Sequence, residues 1–348
     1  MNNNTQLRES NTNNSSCLVI GGGISGLIAS QVLQRHGIKV TVLDKGRGIG
    51  GRLATRRVNV PEYGQGIFDY GAQHFQVTDP KFQQLVDDWM QVGLVEKWTD
   101  GFFDAEGSFQ KSDKAFYRGI TSNRSIAKYL AKDLNVLTQQ KIVELKWLDN
   151  QWIANSQQGD SFQGKNLLIT APVPQSLDLL DNSDIKIPVQ TRASLEKLTY
   201  HRCIAVLAIL KKPSKIRETG GLWLDGHPVS WICSNYKKGI SPEAYAVTIH
   251  GSPEFSLENW EIDRDLAGKK LIDAVQNWLG SEVAHYQVHG WKFSQPIISY
   301  GASYVEIKEP GNLFFAGDAF SSQRNIEGAV LSGFAVAEHI VSSTIGIP

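Results

Sequence analysis

Apolar and polar positions fall into short blocks at the start of the chain. Residues 17–20 form an apolar run, which predicts a buried strand. Apolar residues then recur at helical spacing over residues 27–33, and Gly37 is a typical helix stop. Residues 39–43 are rich in β-branched side chains and predict the next strand. The order of strand, helix and strand predicts an α/β fold.

Later segments predict two kinds of structure. Helical spacing predicts a helix over residues 120–134, and apolar runs predict buried strands at 142–145, 167–170 and 313–315, with a last helix to about residue 340. Alternating segments in the middle of the chain predict a mostly antiparallel sheet, at 203–210, 221–224, 229–234 and 245–250. The length of 348 residues is enough for two domains at ~150 residues each.

The turn after the first strand is rich in glycine. Gly21, Gly23 and Gly26 fit G-x-G-x-x-G, which permits a tight turn, close approach of a pyrophosphate, and packing of helix on strand. Ser25 lies in the same turn, where the N–H groups of the helix N-terminus favour phosphate. Asp44 ends the second strand and can accept hydrogen bonds from both adenosine ribose hydroxyls. This pattern predicts a Rossmann-like domain for an unphosphorylated dinucleotide and leaves NAD and FAD open.

A second glycine segment favours FAD over NAD. FAD extends beyond its pyrophosphate through ribitol to the isoalloxazine ring, and therefore needs a further loop along its length. Gly50 and Gly51 permit close backbone approach, and Arg52 can supply charge-assisted hydrogen bonds. We interpret Arg47 and Arg57 as residues of a solvated basic loop.

The other end of the chain predicts the same cofactor. An apolar strand ends in Gly317 and Asp318, and a helix rich in alanine and valine follows Ile326 and Gly328. In flavoproteins of this kind, such an aspartate contacts the ribitol or pyrophosphate. The positive end of the helix dipole stabilises an anionic reduced flavin.

Composition excludes several partners. The 35 basic and 35 acidic residues are balanced, which indicates neither nucleic acid nor an anionic membrane as a partner. No apolar run approaches the ~20 residues of a membrane span, and residues 1–16 predict a disordered polar tail rather than a secretory signal. Cys17, Cys203 and Cys233 are scattered, which indicates free thiols in a reducing compartment. We therefore expect a cytoplasmic protein.

Missing motifs narrow the chemistry further. The chain has no second G-x-G-x-x-G and no C-x-x-C, which argues against reductases with two dinucleotide sites. No motif offers a cysteine for covalent flavin attachment, so we expect FAD to bind non-covalently. His285 and His289 are four residues apart, but the segment alternates as a strand does and offers no acidic or cysteine partner. No metal site is therefore predicted.

Several segments resemble the renalase family of FAD-dependent, amine-oxidase-like proteins. The similarity lies in residues 44–57, 68–75, 168–175, 231–238, 248–250 and 291–295, and in the segment around Gly317 and Asp318. It therefore covers nearly the whole chain outside the first 16 residues. The resemblance implies a p-hydroxybenzoate hydroxylase-like topology. The positions of the cofactor segments predict an FAD-binding domain of residues 17–75, 115–172 and 288–345, and a substrate domain of residues 76–114 and 173–287.

The resemblance also implies the residues of the site. Asn235, His250 and Trp291 would line the substrate face of the flavin, and Val143 would pack near the adenine. The expected cofactor contacts are Gly21, Gly23, Ser25, Gly26, Asp44, Lys45, Gly51, Arg52, Gln73, His74, Val143, Gly317, Asp318, Ile326 and Gly328.

The activity implied by the resemblance is oxidation of isomeric dihydro-NAD(P). The 2- and 6-dihydro forms would give a hydride to flavin N5 and leave as NAD(P)+, and O2 would be reduced to H2O2. No strong general base is needed, and the sequence shows no Ser/His/Asp set or other acid–base motif that would supply one. The far end of the dinucleotide would lie in solvent. Two alternatives stay open, a small flavin amine oxidase or desaturase and a flavin-binding protein without turnover.

Overall fold

A computed structural model describes residues 13–224 and 226–345. Its strands, in chain order, are β1 (Asn13–Ile20), β2 (Val40–Leu43), β3 (Thr55–Val60), β4 (Gly64–Asp69), β5 (Val95–Phe103), β6 (Phe109–Gly119), β7 (Val136–Leu137), β8 (Ile142–Leu148), β9 (Gln151–Ser156), β10 (Ser161–Ile169), β11 (Tyr200–Leu210), β12 (Gly221–Trp223), β13 (Val229–Ser234), β14 (Tyr245–Gly251), β15 (Val283–Pro296), β16 (Val305–Ile307) and β17 (Leu313–Phe315). The helices are α1 (Ile24–Arg35), α2 (Pro80–Gln91), α3 (Asn123–Leu130), α4 (Val173–Asn182), α5 (Val189–Glu196), α6 (Pro253–Glu258), α7 (Arg264–Ala274), α8 (Gln276–Leu279) and α9 (Ile326–Ile345).

The first sheet has a parallel centre that places the glycine turn. Strands β17, β10, β1, β2 and β7 lie side by side in parallel, and β16, β9 and β8 extend the sheet with antiparallel pairs. Ile20 pairs with both Ile169 and Leu43, so these strands end at one edge. The residues after β1, β2, β10 and β17 therefore meet there, as ligand-binding loops do in open α/β sheets.

Helices α1 and α9 cover one face of this sheet. Fully buried apolar residues of α1, such as Leu33, pack with Val336 and Ile340 of α9 and with the strand residues Val19 and Leu168. Burial of such side chains contributes roughly 1.5–3 kcal/mol each. The packing fixes both helix N-termini at the same sheet edge.

The second sheet is built from the middle of the chain. Its order is β15-β11-β14-β13-β12-β5-β6. Five pairings are antiparallel, and β12 pairs with β5 in parallel through Leu222 and Phe103. Helices α6 and α7 pack against it, and the β3–β4 hairpin packs beside β14.

The α/β fold predicted from the sequence is confirmed. The second sheet is mixed because of its parallel pair, and the p-hydroxybenzoate hydroxylase-like topology stays a prediction. The predicted domain boundaries also stay a prediction. Two strands of the second sheet, β6 and β15, run across them.

Two other expectations concern the chain ends and the thiols. Most of the predicted disordered tail, residues 1–12, lies outside the described residues, and from Asn13 the chain belongs to β1. Cys17, Cys203 and Cys233 carry free thiols, and burial raises the pKa of each to about 12, so none is ionised at neutral pH. Over residues 13–224 and 226–345, no helix combines the length and apolarity needed to cross a membrane.

Candidate active site

The loop between β1 and α1 presents open backbone and one hydroxyl. Gly21 has a φ of 118°, and its carbonyl oxygen accepts a hydrogen bond from Thr170 Oγ1 at 3.0 Å. A Cβ on Gly26 would lie 2.2 Å from the Gly21 oxygen, whereas a Cβ on Gly23 would meet nothing within 4 Å. Ser25 Oγ is buried and has no hydrogen-bond partner in the described part of the chain. This arrangement fits a phosphate at the N-terminus of α1.

Asp44 connects the two glycine segments. Its carboxylate oxygens accept hydrogen bonds from Gly22 N at 2.6 Å and Gly46 N at 2.7 Å. Each oxygen keeps a second lone pair, so both can still accept ribose hydroxyls. Lys45 and Val143 line the same region, and burial lowers the pKa of Lys45.

The second glycine segment lies directly on the first. Gly50 N donates to Gly22 O at 2.8 Å. Gly51 has a φ of 54°, and a Cβ built on it would lie 3.4 Å from Gly23 Cα. Segments about 30 residues apart in the sequence therefore form one backbone surface.

Arg52 and Asp318 join the two ends of the chain. Arg52 Nη1 lies 2.6 Å from Asp318 Oδ2, Nη2 lies 2.8 Å from Oδ1, and Nη1 also donates to Ser294 O at 3.2 Å. Burial by itself would lower the pKa of Arg52, but the Asp318 carboxylate outweighs it and raises that pKa. Both side chains line the cavity, with Gly317 beside them. Their contacts with a cofactor stay a prediction.

The N-terminus of α9 faces the same space. Asn325 and Ile326 line the cavity, and Asn325 Oδ1 caps the helix by accepting a hydrogen bond from Gly328 N at 3.1 Å. Gly328 itself is not in the cavity wall. A Cβ there would lie 1.7 Å from Gln323 O, so this glycine serves close packing of the turn. Gly26 also serves close packing, because a Cβ built on it would meet backbone rather than open space.

All of these segments enclose one cavity of about 1570 Å³. Most small-molecule sites measure about 300–1,000 Å³, so this cavity has room for a dinucleotide and a second molecule. Two helix N-termini and the unpaired Ser25 hydroxyl suit FAD at one end. Ten basic and three acidic side chains are among the described wall residues: Lys45, Arg47, Arg52, Arg56, Arg57, Arg124, Lys141, Arg202, Lys292 and Arg324, against Asp44, Asp178 and Asp318.

At the other end of the cavity, two predicted catalytic residues meet at one carbonyl. Trp291 Nε1 donates to Tyr70 O at 2.9 Å, and His250 Nε2 lies 3.1 Å from the same oxygen. The Trp291 ring stacks on Tyr70 with centroids 5.3 Å apart and meets His289 edge-on at 4.5 Å. Because a carbonyl only accepts, His250 Nε2 carries the proton and Nδ1 keeps a lone pair.

Three histidines in this region, His74, His250 and His289, are uncharged at neutral pH. Burial, with smaller effects of Lys238 and His250, lowers the pKa of His74 to about 3. Burial also lowers the pKa of His250 to about 4. Burial and the nearby guanidinium groups of Arg56 and Arg264 lower the pKa of His289 to about 4.

His74 lies in a group of aromatic side chains that we call the aromatic chamber. Its ring centroid is 4.8 Å from that of Phe116, 5.3 Å from Phe102 and 5.4 Å from Trp231. Trp98 and Trp223 complete the group. His74 Nδ1 and Trp231 Nε1 are both buried without a hydrogen-bond partner among the described residues. His74, Trp223 and Trp231 line the cavity, so a ligand there would find two unpaired nitrogens.

The structure corrects the expected position of Asn235. Its side chain is fully buried and is not in the cavity wall. Asn235 Nδ2 donates to Thr248 Oγ1 at 2.9 Å, and Thr248 Oγ1 donates to Asp69 O at 2.9 Å. Asn235 therefore belongs to the hydrogen-bonded network behind the cavity wall.

A buried ion pair behind the cavity has no counterpart among the sequence-based predictions. Lys238 Nζ lies 2.9 Å from Asp69 Oδ2 and donates to Gln73 O at 2.6 Å, and both charged side chains are 0% exposed. Asp69 also accepts from Thr55 Oγ1 at 2.6 Å. Gln73 lines the cavity, and its amide donates to the carbonyl of Asp69.

Only one sequence signal indicated that pair. Asp69 interrupts the otherwise apolar run of residues 67–70. Nothing distinguishes Lys238 from its neighbour Lys237 in the sequence. Within the described ranges, no group of three or more His, Cys, Asp or Glu side chains is suited to a metal ion.

Comparison with known proteins agrees with this geometry. The profile of a NAD(P)-binding Rossmann-like domain matches residues 19–89, and that of flavin containing amine oxidoreductases matches residues 101–341. Renalase of Mus musculus is 23% identical over 338 residues, which are 92% of this chain and 96% of that protein. The resemblance found in the sequence is thus confirmed as homology.

Solved structures show the same fold. A putrescine oxidase redesigned for cofactor binding superposes with a TM-score of 0.72 at 12% identity, over 96% of this chain and 100% of that one. Wild-type putrescine oxidase bound to putrescine gives a TM-score of 0.66 at 12% identity, over 95% and 100%.

Proposed function

Since this chain belongs to the flavin containing amine oxidoreductase family, we propose that it oxidises 2- or 6-dihydro-NAD(P) to NAD(P)+ with non-covalently bound FAD, and reduces O2 to H2O2. The observation that carries the proposal is the aromatic end of the cavity, around Tyr70, His250 and Trp291. It offers rings and neutral histidines, and none of the three acidic wall residues belongs to it. The homology to renalase supports the same reaction.

The residues that would hold FAD are at the glycine end. The N-terminus of α1, with Gly23 and Ser25, suits the pyrophosphate, and Asp44 suits the adenosine ribose. The N-terminus of α9 suits the flavin ring, where its dipole favours negative charge. When bound, FAD supplies the acceptor for a hydride and passes the electrons to O2.

The residues at the aromatic end position the hydride donor. His250 keeps a lone pair on Nδ1 because Tyr70 O fixes its tautomer, so it can accept an N–H of the carboxamide. Trp291 uses its N–H on the same carbonyl and presents its ring to the cavity. A dihydropyridine gains aromaticity when it loses a hydride, and the nitrogen lone pair drives that loss. Positioning in a dry site is therefore sufficient.

The second candidate is amine oxidation, which the family match favours. An amine substrate is a cation at neutral pH, and it must lose a proton before it can give up a hydride. The described wall has ten basic against three acidic side chains, a field that repels cations and attracts phosphates. The charge of the cavity therefore favours the dinucleotide.

Anaerobic titration of the holoenzyme, with dihydro-NAD isomers and with amines, distinguishes the two candidate functions. We expect 2- or 6-dihydro-NAD to bleach the flavin spectrum at once, and air to restore it with one H2O2 per donor. Bleaching by amines alone would establish the second candidate. A flavin spectrum that none of these donors changes would indicate a flavin-binding protein without turnover.

The rate of flavin reduction is expected to be nearly flat between about pH 6 and pH 8. His250 is neutral above its pKa of about 4, so no catalytic group titrates in that range. Below about pH 5 the rate should fall, because protonation of Nδ1 removes its lone pair. Stopped-flow reduction across pH measures this, and a bell-shaped profile centred near pH 7 would contradict it.

The same shift makes stability depend on pH. The unfolded His250 takes up its proton near pH 6.5 and the folded one only near pH 4. The contribution of His250 to folding stability is therefore fully present above about pH 6.5 and is lost as the pH falls toward 4. Thermal melts at a series of pH values can follow this loss.

The predicted cytoplasmic location is not needed for the proposed reaction and stays a prediction.

A further inference from the structure

We propose that three cationic side chains of the cavity wall, Arg56, Arg202 and Lys292, bind the phosphate groups of a dinucleotide substrate, and that Arg264 adds positive charge from behind that wall. We call the four side chains the β15 cation cluster, because all four lie on or beside that strand. The inference rests on the proposed function and adds to it the part of the substrate that is recognised away from the reacting ring.

A bulge between two strands brings Arg202 toward Lys292. His201 pairs with Gln295 and Cys203 pairs with Trp291, so Arg202 of β11 faces three residues of β15, among them Lys292. Bulges of this kind redirect side chains next to active sites. Arg202 and Lys292 both line the cavity, one residue away from Cys203 and Trp291.

Arg264 joins this pair through an aromatic ring. The Cζ atoms of Arg202 and Arg264 lie 4.8 Å and 4.2 Å from the ring centroid of Trp260. A Cβ on Gly290 would lie 3.3 Å from Arg264 Cζ, so the missing side chain leaves room for this guanidinium beside the cavity wall. Arg264 Nη1 is buried and has no hydrogen-bond partner among the residues that the structure describes.

Arg56 approaches from the β3–β4 hairpin. Its Cζ lies 4.9 Å above the Tyr70 ring, and its Nη1 donates to Gln287 Oε1 of β15 at 3.2 Å. Arg56 and Arg264 both lower the pKa of His289, so the two guanidinium groups act on the same strand. The cluster is thus adjacent to the Tyr70 and Trp291 pair that faces the reacting ring.

The positive charge of the cluster is almost uncompensated. Arg202 has one carboxylate partner, Glu261, at 3.8 Å, and the Glu261 side chain is 90% exposed. Across residues 13–224 and 226–345, Arg56, Arg264 and Lys292 form no ion pair within 4.0 Å. Four cations against one exposed carboxylate attract a polyanion, and arginine suits the bidentate geometry of phosphate.

This placement changes the expectation that the far end of the dinucleotide lies in solvent. The phosphates of FAD have their own site at the N-terminus of α1, in the other half of the cavity. A second dinucleotide whose nicotinamide lies at Trp291 would carry its pyrophosphate toward the β15 cation cluster. No second glycine motif is needed, because the side chains of the β15 cation cluster would bind the phosphates in place of a helix N-terminus.

The test compares two hydride donors that share the 6-dihydronicotinamide ring, the riboside and the full dinucleotide. In steady-state assays of the holoenzyme, we expect the riboside to have a higher KM than the dinucleotide, by ~tenfold or more. Arg202→Ala and Lys292→Ala should each reduce the ratio between the two KM values by roughly 1.5- to fivefold, the range for exposed charge pairs. Added salt should raise the KM for the dinucleotide selectively.

A matched control and a binding measurement complete the test. Lys211→Ala removes a cation near the other end of β15, where Lys211 pairs with Glu282, and should leave the KM ratio unchanged. Calorimetry should show weaker binding of NAD+ to both cluster variants, with thermal melts confirming their fold. Equal KM values for the two donors, or a ratio that the variants do not change, would overturn the inference. Oxidation of neither donor would instead refute the proposed function.

Discussion

A Gly23→Ala variant is expected to fold like the parent chain and to lose its FAD. Gly23 has φ −78° and ψ 175°, which alanine adopts without strain, and its Cβ would meet nothing within 4 Å. The small cost of alanine at a helix N-cap is offset by the smaller entropy of its unfolded chain. The new methyl group would stand where a pyrophosphate approaches the backbone, so we expect FAD affinity to fall by ~tenfold or more.

Gly26→Ala is the matched comparison three residues away. Its Cβ would lie 2.2 Å from Gly21 O and 2.9 Å from Thr170 Oγ1, so the methyl group overpacks the fold at a cost of roughly 1–3 kcal/mol. Flavin absorbance of the purified proteins and thermal melting of their apo forms separate the two effects. A Gly23→Ala protein with full flavin content would refute FAD at this turn.

The second large effect is expected from Lys238→Met. The variant should lower the free energy of unfolding by about 3–5 kcal/mol, because it leaves Asp69 as an uncompensated buried charge. Methionine fills a similar volume but cannot donate to Asp69 Oδ2 or Gln73 O. Urea denaturation of the parent and the variant gives the difference directly.

Lys237→Met supplies the control for that variant. Lys237 is the neighbouring residue and pairs at 3.3 Å with Glu218, whose side chain is 80% exposed, so its loss should cost less than about 1 kcal/mol. Adding Asp69→Asn to Lys238→Met should restore part of the stability, since it removes the unpaired charge. Equal stability of the Lys237 and Lys238 variants would show that the buried pair contributes little.

The buried pair also has a consequence for the active site. Asp69 is followed by Tyr70, whose carbonyl oxygen accepts hydrogen bonds from both His250 and Trp291. The Asp69 carbonyl accepts from Thr248, and Asn235 in turn donates to Thr248. Loss of Lys238 is therefore expected to disturb the position of the two ring-facing residues as well as global stability.

Local patterns were sufficient for the cofactor end. The spacing of Gly21, Gly23 and Gly26 indicates a turn whose geometry depends on six consecutive residues. Asp44 follows after one helix and one strand. The carboxyl ends of parallel strands lie at one edge of the sheet. Motifs that follow such strands can therefore be assigned to that edge from the sequence. The predicted segments around Arg52 and Asp318 also line the cavity, although they bind each other.

Long-range pairing decided the rest. The sequence by itself determined the α/β class and the glycine-rich turn of a Rossmann-like domain, because both depend on neighbours in the chain. Only the tertiary structure showed that Asn235 lies outside the cavity wall, and that Lys238 pairs with Asp69, 169 residues away. It also gathered the β15 cation cluster through a strand bulge. Burial and charge pairing depend on which strands lie side by side, and local periodicity does not encode that choice.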